Sequence, residues 1–279
     1  MPFKKAMDIK HSVRKRISSV KGFKYNDITH TYTIDGIKLL SSTTWIGGYK
    51  KPFDKIFASN RTAQSKKKGS RLSNPKLVRE YWTSYGKRAA SLGTAGHEFC
   101  RQYYLDPEST KPLVSLEHNA KKLMDALMEK YDVIEMERPR GIRRYMMGYT
   151  IDLVLKDKKT GKLYVCDFKF GGNFTPEQYK EDKNRTANLM LAPFRTLKLR
   201  DVAYHAGSIQ MSMYKHFYEI QNDVKITDCI LFHIDGIKHH YGEKGYKAYR
   251  YVRDVNPIVL EELKKQVVTN KNSLVSIIN

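Results

Sequence analysis

The sequence predicts an α/β domain with a helical and β-ribbon N-terminal part, and three observations lead there. Runs of β-branched and aromatic residues bounded by turn signals occupy 133–170 and recur near 226–234 and 246–253. Apolar stripes at spacings of three and four flank them, within 75–105 and 203–221. A chain of 279 residues, 41% of them hydrophobic, is long enough to bury a substantial core.

Residues 1–22 carry Lys4, Lys5, Lys10, Arg14, Lys15, Arg16 and Lys21 against Asp8 alone, the balance of a basic arm or an organelle presequence. The remainder, 23–279, reads as a single domain, because it has no internal repeat and no Pro/Gly/Ser linker. Residues 28–46 read as short strands, with 31–34 and 37–40 joined by an Asp35-Gly36 turn of the hairpin type. A basic loop follows at 65–71, and Pro75 opens a helical region to about Leu105. Tyr85, Ala89, Leu92, Gly96, Phe99 and Tyr103 form its buried stripe. A second helix covers 116–131.

Strands follow at 133–137, 145–155 and 162–170, the last two joined by a hairpin loop at 156–161. Helices and loop are expected over 171–202. Ala206, Ile209, Met213, Phe217 and Ile220 mark one face of a helix at 203–221, and a final helix follows the last strand near Pro257.

Lys and Arg number 51 against 29 Asp and Glu, a net charge of +22 that suits a polyanion, with nucleic acid the leading partner. Ribosomal surfaces and anionic membranes share that sign. Cys100, Cys166 and Cys229 lie far apart, which points to a reducing compartment and away from cysteine-bound zinc or iron–sulfur clusters. No apolar run approaches the ~18 residues of a membrane span and no signal-peptide core is present, so a soluble, unsecreted protein is expected.

Chemistry concentrates at Asp167 and Lys169, two residues apart in the apolar strand 163–170 and therefore on one face. Burying that pair is costly unless it holds a cation or acts on a phosphate; the alternative is a solvated pair on a sheet edge. The same D-x-K spacing at Asp8 and Asp157 falls in an arm and a turn. A hairpin centred between Lys158 and Lys159 puts Asp152 opposite Val165, and Asp167 diagonal to Asp152 at ~7–8 Å. Two such carboxylates can converge on Mg²⁺ or Mn²⁺. Gly148 admits close approach of a backbone or a sugar-phosphate strand, or marks a bend. Glu137 offers a third carboxylate and Glu135 competes for that role; either can be a solvated strand end.

His97 sits in a helix with Gly93 and Gly96, which suggests close approach of backbone or nucleic acid. Gln210 and Tyr214, four apart, share a helix face. His239 and His240 near His233 have poor spacing for a metal site. Tyr81, Trp82 and Tyr85 are candidates for stacking on bases, and Lys180, Lys183 and Arg185 for contacting a strand, although charge runs are commonly solvated faces.

In order along the chain, Gly93-Thr94-Ala95-Gly96-His97, Glu137, Gly148-Tyr149-Thr150-Ile151-Asp152, Asp167-Phe168-Lys169 and Gln210-Met211-Ser212-Met213-Tyr214 resemble the RecB-type branch of the PD-(D/E)XK nucleases. The similarity spans about 85–220, with a catalytic core of about 85–235. The ribbon, the basic segment and Pro52-Phe53-Asp54 look like phage and mitochondrial genome maintenance exonuclease relatives. The resemblance implies a restriction-endonuclease-like core, a central mixed sheet flanked by helices, working with Mg²⁺ or Mn²⁺. It implies that Asp152, Asp167 and the Phe168 carbonyl hold the ion, that His97 adds a ligand and that Glu137 supports the site. Lys169 would activate the attacking water, with Gln210 and Tyr214 over the site.

The implied activity is an exonuclease on single-stranded or end-exposed DNA in replication, recombination or repair, alongside proteins of those processes. The implied setting is intracellular: cytoplasm, a viral host's cytoplasm or the mitochondrial matrix. A structure-specific endonuclease and an inactive nucleic-acid-binding module are the alternatives. The chain departs from iron–sulfur members of the family, which use four cysteines, and has no P-loop.

Overall fold

The computed structural model describes residues 20–66, 69–171, 189–236 and 241–278, with side chains followed to residue 267. The basic arm up to residue 19, Lys180, Lys183, Arg185, His239 and His240 lie outside the described residues.

A small antiparallel ribbon comes first: β1 (Phe23–Asn26), β2 (Thr31–Ile34) and β3 (Ile37–Lys38). Ile34 faces Ile37 across Asp35 and Gly36, both at positive φ, as a two-residue hairpin turn demands. The expected strand at 37–40 is divided. Leu40 and Ser41 form β4 (Leu40–Ser41), which leaves the ribbon and pairs in parallel with the main sheet. Residues 42–46 are not strand: helix α1 (Ser42–Gly47) starts there, because the Ser41 hydroxyl accepts the Thr44 N–H as an N-cap.

Helix α2 (Lys55–Gln64) was not expected, since only Ser59 and Ala63 are buried and no apolar stripe betrays it. Its one legible signal is Asp54, whose carboxylate caps the N–H groups of Ile56 and Phe57. Helix α3 (Pro75–Leu105) runs unbroken for 31 residues from an Asn74 cap and Pro75. Gly96, Phe99 and Tyr103 are buried, but Tyr85 and Ala89 of the same stripe are exposed, because this half of α3 projects past the sheet. Helix α4 (Ser115–Lys130) matches its expected place.

Among the described residues, six strands make the main sheet: β4, β5 (Tyr131–Ile142), β6 (Met147–Asp157), β7 (Leu163–Phe170), β8 (Ile226–Ile234) and β9 (Tyr246–Arg250). The order is β4-β6-β7-β8-β9, with β5 on the other side of β6. β5–β6, β6–β7 and β8–β9 are antiparallel, β4–β6 and β7–β8 parallel, so the sheet is mixed. β5 outruns its expected end at 137. It is an edge strand, where Pro139 can sit opposite Thr150 without forfeiting a ladder bond on a second side.

Helices α5 (Ala203–Asn222) and α6 (Val255–Ile278) cover one face, packing Ile209, Phe217 and Val259 on Tyr149, Ile151 and Val165. On the other face Phe99, Tyr103 and Leu123 of α3 and α4 pack on Leu153, Cys166 and Phe168. The protein is therefore an α/β fold with a mixed sheet between helical layers. Ile220 is partly exposed at the solvent edge of the α5 stripe.

Candidate metal centre

The site forms where two neighbours of β6 diverge. On one side of β6, β4 pairs with Met147 and Gly148 and β7 pairs from Leu153 onward, which leaves 149–152 between them in a fork. The β6–β7 register puts Val154, rather than Asp152, opposite Val165. The loop is asymmetric because Asp157 folds it, accepting the Lys159 and Thr160 N–H groups on one carboxylate oxygen. A shift of two residues preserves the face, so Asp152 and Asp167 still converge. Asp152 Oδ2 accepts the Phe168 N–H at 2.7 Å, filling the mouth of the fork. The described contact of Phe168 with this site is thus its N–H.

Glu137 and Glu135 part company. Glu137 adopts φ 46°, and this left-handed residue breaks the alternation of β5. Its carboxylate meets His97 Nδ1 of α3 at 2.6 Å, and the same nitrogen lies 3.7 Å from Asp152 Oδ2. Glu135 is turned to the α5 face, where the Arg140 Nε–H donates to it at 2.6 Å and Nη2 donates to its second oxygen. That guanidinium lies over the Tyr218 ring, 5.4 Å from its centroid. A buried, doubly bonded carboxylate is committed to its arginine, so Glu135 is excluded as a ligand.

Ligand atoms of His97, Glu137 and Asp152 all lie within 4.8 Å of one another. Asp167, only 1% exposed, stands beside them, with Lys169 Nζ 2.5 Å from its Oδ2. That oxygen is buried and has no well-directed hydrogen bond. An imidazole with clustered carboxylates, and no thiolate among them, is a donor set able to hold a divalent cation.

The electrostatics agree with a cation-seeking pocket. Burial and the Asp167 charge push the Asp152 carboxyl well above the usual range. Burial alone would lower His97, but Asp152 and Glu137 outweigh it and raise the imidazole to about 9. Lys169 is likewise depressed by burial, yet Asp167 and Asp152 carry it above its ordinary value, so it is an ammonium at neutral pH.

Gln210 Nε2 donates to the Tyr214 hydroxyl at 2.7 Å, as their spacing on α5 allows. Burial raises the Tyr214 phenol, and Asp152 and Asp167 raise it further, placing it within electrostatic range of the acids. Gly207 of α5 lies against the Lys169 stem: a Cβ there would be 3.7 Å from Lys169 Cε. Neither periodicity nor composition singles out Gly207.

Three glycine readings are settled by packing. The space over Gly148 is filled by the Tyr32 ring, 2.2 Å from where a Cβ would sit, so that glycine serves the ribbon rather than a sugar-phosphate strand. Gly96 is filled by Phe170, while Gly93 faces open space. Tyr32 also bonds Thr150 through its hydroxyl at 2.9 Å and sits 4.9 Å from Tyr25, ring to ring. The Tyr25 phenol rises to about 12 through burial, Tyr32, Asp27 and Glu137, which sets the ribbon beside the acids. His233 is not a ligand: Nδ1 is 2.6 Å from the Tyr241 hydroxyl and Nε2 is 3.0 Å from the Gly171 carbonyl.

No family model and no curated protein matches this chain. No helix among the described residues is long and apolar enough to cross a membrane.

Proposed function

We propose that the protein is a divalent-metal-dependent deoxyribonuclease of the PD-(D/E)XK kind, RecB-type, with a restriction-endonuclease-like core. Its preferred action is exonucleolytic, on single-stranded or end-exposed DNA. The observation that carries this reading is the convergence of His97, Glu137 and Asp152 beside the buried Asp167–Lys169 pair at the β6 fork. A purely structural cluster would gain little from crowding Asp152 against Asp167, and a binding surface for phosphates has no use for buried acids.

His97, Glu137 and Asp152 would hold Mg²⁺ or Mn²⁺, with Asp167 beside them. Bound there, such an ion lowers the pKa of a water and offsets charge growing on the phosphate. The Lys169 ammonium, held by Asp167, would orient the attacking water in line with phosphorus and steady the negative charge that grows on its oxygen as the proton passes to solvent. Tyr214, fixed by Gln210, closes the α5 side of the site. The excess of basic residues supplies attraction for the DNA backbone.

End-labelled single- and double-stranded oligonucleotides with Mg²⁺ or Mn²⁺ test this. Mono- or short oligonucleotides are expected from the wild type, and at least ~100-fold less from Asp167→Ala and Lys169→Ala. Circular single strands are expected to survive; their cleavage would select the endonuclease alternative. Salt-sensitive DNA binding with no product under any divalent ion would select the inactive binding module.

A further inference from the structure

The N-terminal half of α3 faces solvent with side chains that normally avoid it. Tyr81 and Tyr85 are 54% and 56% exposed, and their rings stack at 6.4 Å and 29°. Phe53, 64% exposed, lies 5.8 Å from the Trp82 ring on the next face of the helix. Tyr81, Tyr85 and Arg88 fall at i, i+4 and i+7, one continuous strip, and Arg88 is exposed as well. Further along the helix the same face carries Phe99 and Tyr103 onto the sheet. Tyr81 and Tyr85 thus hang beyond the sheet on the extension of its packing face.

Charge identifies the occupant. Residues 50–90 carry twelve Lys and Arg against two acids, Asp54 and Glu80. On another face of the same half-helix a depression is lined by three cations, Lys76, Arg79 and Lys87, together with Glu80, Thr83 and Ser84. Aromatic rings bordered by cations complement unpaired bases joined by phosphates, whereas two copies of so basic a surface repel.

We propose that Tyr81 and Tyr85 form a stacking platform for the unpaired bases of a single strand whose end lies at the metal centre. This deepens the nuclease reading by naming the form of its substrate. His97 is on the same unbroken helix, twelve residues beyond Tyr85, or about 18 Å along the axis. That span is about five nucleotides at the ~3.4 Å per nucleotide of a stacked strand. Because one rigid helix carries both ends, the interval is fixed.

Binding of fluorescein-labelled oligothymidylate to the whole protein in EDTA isolates the platform from catalysis. Tyr81→Ala/Tyr85→Ala is expected to weaken binding about five-fold or more, Tyr81→Phe/Tyr85→Phe to restore it, and an abasic strand of equal length to bind the wild type no better than the Ala variant binds oligothymidylate. Unchanged affinity in the Ala variant with a native thermal transition would overturn the proposal. A change in its sedimentation would do so too, by revealing a self-association face. If EDTA binding follows the expected pattern while no divalent ion yields product, the platform stands and the nuclease reading falls.

Discussion

The two halves of α3 carry similar residues to opposite ends. In the half from Leu92 to Leu105, aromatic rings and a histidine are pressed against the sheet, and His97 Nδ1 meets the Glu137 carboxylate. In the half from Pro75 to Ser91, Tyr81, Tyr85 and a fringe of lysines and arginines stand in solvent. One stripe runs through both, so periodicity alone cannot separate a core face from a ligand face. The length of the sheet beneath decides it.

The widest expected gap between the halves is catalytic. Asp152→Asn should lower DNA hydrolysis by ~100-fold or more. It should also raise the thermal midpoint of the metal-free protein by a few degrees, since it relieves a buried carboxylate crowded by Asp167 while keeping an acceptor for the Phe168 N–H. A fall in both activity and midpoint would make Asp152 structural. Next in size is the ion itself. Mg²⁺ or Mn²⁺ at a hundred times its dissociation constant should stabilise the wild type by about 2.7 kcal/mol in calorimetry, and Asp152→Asn much less.

Smaller effects divide the glycines of α3. Gly96→Ala forces a methyl into the Phe170 ring and should cost about 1–3 kcal/mol, whereas Gly93→Ala meets nothing and should stabilise by up to ~1 kcal/mol. Denaturant midpoints read both; equal signs would erase the distinction between packed and open positions. The smallest effect concerns pH. Burial lowers His205 and His216, against the carboxylate-driven rise at His97. A histidine depressed in the fold leaves the unfolded chain to take up the proton first, so stability is full above about pH 6.5 and declines below it. The double variant His205→Gln/His216→Gln should flatten that decline in thermal scans between about pH 7 and pH 5.

Much of this was legible. Alternation and turn residues place β5, β6 and β7 and the hairpin between them, and the D-x-K pair in an apolar strand singles out Asp167 and Lys169. Helix α3 announces itself through Pro75 and its stripe. What stayed hidden was set by single local events. Asp157 reshapes a turn and moves the register by two; Asp54 starts a helix with no apolar face; Tyr32 claims the space over Gly148 from over a hundred residues away. Glu135 and Glu137 have identical spacing credentials, and only the backbone between them separates their fates.

That backbone gives β5 two reading frames. The ladder keeps one register from Glu135 to Ile142, yet Glu135 and Arg140, an odd five residues apart, meet on one face, because the left-handed Glu137, at a cost of about 1–2 kcal/mol, flips the alternation of side chains. Insertions or deletions of one residue upstream of it would leave a plausible apolar strand and a folded protein. By sliding the strand one place they would also put Met136 or Arg138 where Glu137 meets His97, silencing the site without unfolding it.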